Sequence, residues 1–175
     1  DIAPNRLNRA KHEITKFIDL NNFVLGADIH GGAEMIMYPW CYKYAQHPDV
    51  DWFRLVSKDY VDTILAYCDN GYFSGGPMNQ EVYGSCWLLG SYYAHGSVID
   101  YLNFYKNCKS VKLELSSQKL VNSSKILDYW NYNRRSLLGY IKQAMYGIQG
   151  VVTDSISGEP VKAKVFIEGH DLELE

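Results

Sequence analysis

Apolar side chains recur every three to four residues in four stretches of the chain, and this spacing predicts amphipathic helices. The stretches are residues 5–20, 49 to about 67, a short one at 100–105, and a last one that follows Ser123 and Ser124 and stops at Gly147. Serines can cap a helix start and glycine commonly ends one. We expect the last helix to bury an apolar face made of Leu127, Trp130, Leu137, Leu138, Ile141 and Met145.

Two further stretches have the composition of strands. Residues 23–29 form a short apolar run with β-branched members, which predicts a strand that is buried on both faces and ends at His30. Residues 110–115 alternate in polarity and carry Glu114 near the end of a second strand. Glycines and a proline argue against regular structure at 31–48. Residues 69–96, rich in Gly, Tyr and Asn, predict a loop that belongs to a binding surface.

Helices that alternate with strands predict an α/β domain with a mainly parallel or mixed sheet. Ligands of such sheets bind beyond the carboxyl ends of the strands, where His30 and Glu114 are both predicted to lie. A neutral imidazole is a suitable zinc ligand, and a neighbouring carboxylate can take a proton from a zinc-bound water. From the residues alone, a hydrogen-bonded surface histidine and a solvated glutamate remain the alternative.

The pattern of apolar residues changes after residue 147 from helical spacing to alternation. Residues 150–154 and 161–167 are alternating runs joined by a turn-forming segment at 157–160, which predicts a β-hairpin. Because a lone hairpin is marginally stable, we expect it to begin a β-sandwich or to form an extended arm. The predicted organisation is a domain at 1–147, the start of a second domain at 148–171, and a tail at 172–175 whose repeated Leu-Glu is typical of cloning sites.

Charge and cysteine content narrow the classes of function. A net charge of −3 with interspersed signs gives no basic patch for a phosphate backbone, which argues against nucleic acid as a partner. No apolar run approaches the ~20 residues of a membrane span. The four cysteines include no C-x-x-C pair, so they are either free thiols or, in an exported protein, members of one or two disulfides.

Three motifs resemble those of one enzyme family. Residues 27–34 (ADIHGGAE), followed by Tyr38-Pro39-Trp40, resemble the third zinc-ligand motif of the M14 metallocarboxypeptidases. Residues 111–116 (VKLELS) resemble that family's catalytic-glutamate strand. Residues 146–152 resemble the passage into the transthyretin-like β-sandwich of one branch. The resemblance implies a partial carboxypeptidase-like mixed sheet flanked by helices, followed by a hairpin from a truncated β-sandwich.

The resemblance also implies roles for particular residues. His30 matches a zinc ligand, and Glu114 matches the general base and acid that activates the water and protonates the leaving amine. Tyr92 matches a mobile tyrosine that caps the substrate, with Tyr93 as the fallback, although Tyr92 could instead be a packed loop aromatic. Ile99 matches the residue at the base of the pocket for the substrate's C-terminal side chain, where an apolar residue favours apolar substrates. Relatives with the transthyretin-like domain often carry a polar residue there, and Ile99 could equally be core filler.

Most of the family's metal site has no counterpart in this sequence. The first metal motif, H-x-x-E, should precede His30, but His12 is followed three residues later by Thr15. The string from His170 to Glu173 lies in the tail, without a framework to hold it. We therefore expect the C-terminal half of a catalytic domain that needs its N-terminal half as a partner. The parent would bind one zinc ion, and this chain would bind zinc weakly or not at all.

Three other ionisable residues near the motifs are not expected to act on a metal. Strand alternation is expected to direct Asp28 away from His30, and Glu34 is expected to be a surface carboxylate. His47 lies in a loop beside a proline and is expected to have no metal role.

The leading hypothesis is that the parent protein is a zinc metallocarboxypeptidase acting on peptide C-termini, with this fragment inactive alone. One alternative is a catalytically dead peptide- or glycan-binding module on the same scaffold, and another is a related zinc amidohydrolase. The family branch favours an exported protein, whether periplasmic, cell-surface or secreted. An exposed half-core could drive self-association.

Overall fold

A four-stranded mixed sheet organises the chain, whose computed structural model describes residues 4–69, 71–74, 82–89, 93–148, 150–166 and 168. The helices are α1 (Pro4–Asp19), α2 (Val50–Leu65), α3 (Cys86–Leu89), α4 (Val98–Tyr105) and α5 (Ile126–Lys142), with short 3-10 turns at Ser123–Lys125 and Gln143–Met145. The strands are β1 (Leu25–His30), β2 (Ala33–Tyr38), β3 (Tyr83–Ser85) and β4 (Lys109–Ser116). The predicted α/β class is confirmed.

The sheet has the order β1-β4-β2-β3, so β4 lies between the two strands that come first in the chain. β1 pairs with β4 in parallel, β4 pairs with β2 antiparallel, and β2 pairs with β3 in parallel. The expectation of irregular structure after His30 is wrong for β2. The two glycines only turn the chain between β1 and β2, and regular strand structure resumes directly after them at Ala33. Gly32 has a φ of +123°, which a residue with a side chain rarely adopts.

One face of the sheet carries the main hydrophobic core. Ile36 and Tyr38 of β2 and Val111 and Leu113 of β4 point into it. The helices α2 and α5 cover them, and their buried residues in this cluster are Phe53, Val56, Tyr60, Val61, Ile64 and Tyr140. Alternation along β4 sends Lys112 and Glu114 to the opposite face.

The opposite face is covered by α4 and by the loops around a disulfide. Cys41 and Cys86 are bonded, and both pack with Met37, Leu89 and Ile99 in a second buried cluster. Cys68 and Cys108 are free. The sequence left open whether the cysteines are free thiols or form disulfides. The structure has one disulfide and two free thiols.

The expectation that β1 is buried on both faces is wrong. β1 pairs with β4 alone among the described residues, and its Ile29 is 58% exposed. A strand at the edge of a sheet has one row of backbone groups without a strand partner, so its apolar composition by itself does not ensure burial.

The face of α5 that packs on the core also differs from the prediction. Asn133, Ser136 and Tyr140 are buried, whereas most of the predicted apolar face is exposed: Leu127, Trp130, Leu138, Ile141 and Met145. The buried polar groups are hydrogen-bonded, since Asn133 Nδ2 donates to the Tyr72 hydroxyl at 2.7 Å and Ser136 Oγ donates to the Tyr60 carbonyl at 2.9 Å. Satisfied polar side chains can occupy a core, and apolar spacing alone does not reveal them.

Residues 150–166 form an exposed turn with a single antiparallel bridge between Thr153 and Pro160. Asp154 holds the turn, because its Oδ1 accepts from the backbone N–H groups of Ile156 and Ser157 at 3.0 and 2.8 Å. These hydrogen bonds, that to Ser157 foremost, lower the pKa of the Asp154 carboxyl. The turn of the predicted hairpin is present, while its strands are reduced to one bridge, as expected for a hairpin without a neighbouring sheet.

No helix within the described ranges has the length and apolar character needed to cross a membrane.

Candidate active site

The carboxyl ends of β1 and β4 bring two residues singled out in the sequence to one edge of the sheet. The parallel register runs from Leu25 opposite Lys109 to His30 opposite Glu114. Residues opposite each other on paired strands point to the same face. His30 and Glu114 are thus neighbours on adjacent strands, on the face covered by α4.

Gly31 keeps the chain close to the end of β4 at this edge. A Cβ added there would lie 2.8 Å from Ser116 Oγ and 2.9 Å from the Gln118 carbonyl oxygen. The backbone N–H of Gly32 donates to the Ser116 carbonyl at 2.7 Å. The glycines after His30 therefore allow the two strand ends to pack against each other.

Glu114 is largely buried, and its two carboxylate oxygens differ in their surroundings. Oε1 lies 3.3 Å from Nζ of Lys112, the residue two positions earlier on the same face. Oε2 is buried and accepts no hydrogen bond from the residues that the structure describes. A buried carboxylate oxygen without a donor is costly, so this atom is suited to accept from a water or a substrate group.

His30 is half-exposed, and its ring is oriented by Asp28. Nε2 of His30 lies 2.9 Å from Oδ2 of Asp28. The expectation that strand alternation turns Asp28 away from His30 is wrong, because residues two apart on a strand share a face. With Nε2 donating to Asp28, Nδ1 is the ring nitrogen whose lone pair is available to a metal ion.

Glu34 joins two loops next to this edge. Its Oε2 accepts from the backbone N–H of Phe73 at 3.1 Å, and its Oε1 accepts from the backbone N–H of Ser117 at 3.2 Å. Glu34 is therefore not the free surface carboxylate that the sequence suggested. By holding Ser117 it fixes the chain directly after β4.

Ile99 lies on the same side of the sheet as Glu114. It is fully buried on α4 and packs in the cluster that contains Met37, with Met35 against it. Met35 and Met37 are the cross-strand partners of Glu114 and Lys112 on β2. The two methionines thus connect Ile99 with the edge that carries the carboxylate.

The remaining sequence-predicted positions are Tyr92, Tyr93 and the string from His170 to Glu173. Tyr92 and the tail string from His170 to Glu173 lie outside the described residues. Tyr93 is described and is exposed. Sequence reasoning missed Lys112, which lies two residues before Glu114 on β4. It misjudged Asp28, which lies two residues before His30 on β1. In both cases the signal was the two-residue spacing, because residues two apart on a strand share a face.

The described residues do not make a zinc site by themselves. No group of three or more His, Cys, Asp or Glu side chains that could hold a metal ion occurs among them. A catalytic zinc site normally has three protein ligands, and His30 is the one residue on this edge that the sequence predicts as a ligand. Any zinc bound here would need ligands from elsewhere.

Comparisons with known proteins all point to one family. The family model described as zinc carboxypeptidase matches residues 6–136, about three quarters of the chain. The matched range contains β1, β4 and the edge that they form.

Individual relatives agree with the family match. Carboxypeptidase Z of Gallus gallus is 29% identical over 167 residues, covering 86% of this chain and 25% of that protein. Carboxypeptidase Z of Homo sapiens is 28% identical over 177 residues, covering 91% and 26%. Carboxypeptidase D of Drosophila melanogaster is 34% identical over 160 residues, covering 84% and 11%. The chain thus spans about a quarter of the length of the carboxypeptidase Z proteins that it matches.

Proposed function

The chain belongs to the zinc carboxypeptidase family, and we propose that it supplies the C-terminal half of the catalytic domain of an enzyme that removes C-terminal residues from peptides. The observation that supports this proposal is the parallel register of β1 and β4, which puts His30 opposite Glu114. General acid–base chemistry at a metal site needs a ligand and a carboxylate within reach of one water.

Glu114 is the proposed proton carrier of the reaction. It takes a proton from the attacking water while the water oxygen bonds to the carbonyl carbon of the terminal amide. The carbon–nitrogen bond then breaks, and Glu114 delivers the proton to the leaving amine. The buried Oε2, which has no donor among the described residues, is the atom proposed to hold the water.

His30 is the proposed zinc ligand from this chain. Asp28 would orient its ring by accepting from Nε2, which leaves Nδ1 for the ion. Zinc supplies Lewis-acid polarisation in such a site. The remaining ligands are proposed to come from the N-terminal half of the domain, so that this chain alone would be inactive.

Further proposals concern the substrate pocket, the second domain and localisation. Ile99 is proposed at the base of the pocket for the C-terminal side chain, and Tyr92 is proposed to cap the substrate. The turn at 150–166 supports a β-sandwich that begins near residue 148. The disulfide between Cys41 and Cys86 supports an exported protein, because disulfides persist in oxidising compartments.

The test is hydrolysis of N-blocked peptides by the full-length parent protein loaded with zinc. Glu114→Gln should lower kcat/KM by about 10²- to 10⁴-fold, the usual contribution of a general acid–base group. Glu159→Gln, which removes a carboxylate from the exposed turn, is the matched control and should keep wild-type activity. Wild-type activity in Glu114→Gln would contradict the proposal.

A further inference from the structure

Lys112 lies on the face of β4 that carries Glu114, with its Nζ 3.3 Å from Oε1 of that residue. Its side chain is only 20% exposed. Lysine ammonium groups normally reach bulk water, because burial of an unpaired charge is costly. A lysine side chain that is mostly buried at the edge of the candidate site therefore marks a place where negative charge is favoured.

The position of Lys112 relates it to the predicted substrate pocket. Its cross-strand partner on β2 is Met37, and Met37 packs in one buried cluster with Ile99. Cross-strand partners point to the same face of a sheet. The lysine stem thus rises from the same face of the sheet as Met37, which packs with the residue that the sequence predicts as the pocket base, and its ammonium contacts the Glu114 carboxylate.

The neighbouring acidic group on β1 is already engaged. Asp28 is the register partner of Lys112, but its carboxylate contacts Nε2 of His30 at 2.9 Å. Glu114 contacts Lys112 through Oε1, while Oε2 remains without a donor among the described residues. Lys112 consequently has donor capacity for a further anionic group, since an ammonium carries three N–H donors.

We infer that Lys112 recognises an acidic side chain on the C-terminal residue of the substrate, so that peptides ending in Glu or Asp are the preferred class. This inference rests on the proposed carboxypeptidase function. It revises the apolar preference expected from Ile99, because an apolar terminal side chain would leave the ammonium without a new partner. A basic terminal side chain would be rejected, since it would place two positive charges side by side.

The test compares peptides that differ only in a terminal Glu or Gln, which are close in shape and differ in charge. The full-length parent protein should hydrolyse the Glu peptide with the higher kcat/KM. Lys112→Met should lower the Glu-to-Gln ratio of kcat/KM by roughly 10- to 100-fold, the range expected for a hydrogen bond to a charged group. Lys112→Arg keeps the charge and should keep the preference. Lys125→Met, which removes an exposed lysine charge, should leave the ratio unchanged.

Failure of this inference can be told apart from failure of the proposed function. Hydrolysis of no peptide by the wild-type protein would contradict carboxypeptidase activity itself. A preference of the wild-type protein for basic or apolar termini would overturn the inference alone. An equal fall in kcat/KM for all peptides in the Lys112→Met variant would do the same. An equal fall would mean that Lys112 acts only through Glu114. Inhibition of the wild-type enzyme by free glutamate and glutamine gives the same comparison without a substitution, and the inference requires tighter binding of glutamate.

Discussion

Acidification should destabilise this fold through one buried histidine. His47 is 2% exposed and lies between the rings of Trp40 and Phe53, with centroid distances of 4.9 and 5.1 Å. Its Nδ1 accepts from the backbone N–H of Asp49 at 3.0 Å, while its buried Nε2 has no hydrogen-bond partner among the described residues. The imidazole is thus held in its neutral form.

Burial, and next the charge of Lys109, lower the pKa of His47 to about 4. Lys43 lowers the pKa further, whereas Asp49, which is ion-paired with Lys109, raises it. In the unfolded chain the pKa returns to its ordinary value near 6.5. The unfolded state therefore binds more protons between these values, and stability falls as the pH falls through this window. The loss should reach about 2 kcal/mol between pH 7.5 and pH 5 and about 3 kcal/mol below pH 4.

The assay is urea denaturation at pH 7.5, 6 and 5 for the wild-type chain and two variants. His47→Gln keeps a hydrogen-bond acceptor but does not titrate, so its free energy of unfolding should fall about 2 kcal/mol less between pH 7.5 and pH 5. His12→Gln replaces an exposed histidine and should retain the wild-type pH dependence. An unchanged pH dependence in His47→Gln, or a titration of His47 near pH 6.5 by NMR, would refute the reasoning.

Three other measurements probe separate parts of the chain. Reduction of the disulfide between Cys41 and Cys86, which are 45 residues apart, should lower the free energy of unfolding by about 4 kcal/mol in the loop-entropy estimate. Equal urea midpoints with and without reductant would contradict this. Gly31→Ala should cost about 1–3 kcal/mol because its Cβ would collide with the end of β4. Gly139→Ala, in an open helical position, should instead stabilise by about 0.5–1 kcal/mol, and thermal unfolding compares the two. The isolated chain should bind zinc weakly in calorimetry, and tight stoichiometric binding that is lost in His30→Ala would show that further ligands exist.

Much of the secondary structure is a local property of this sequence. The helices at α2 and α4 and the strand β4 follow directly from apolar spacing, with ends within a few residues of the prediction. Such elements can be predicted because the apolar residues of each are concentrated on one face, and the geometry of the element dictates their period along the chain. The motifs around His30 and Glu114 can likewise be recognised in the sequence, because each is a contiguous stretch of residues.

The α/β class and the family can therefore be read from the sequence alone, and the sequence also predicts His30 and Glu114 as the two chemical groups of the site. The tertiary structure adds that β4 separates β1 from β2 and that α5 buries Asn133 while most of its predicted apolar face stays exposed. Each of these depends on which distant segment packs against an element, and the spacing of residues within the element carries no record of that partner. The sheet order and the buried face of α5 accordingly follow only from the packing of segments that are far apart in the chain.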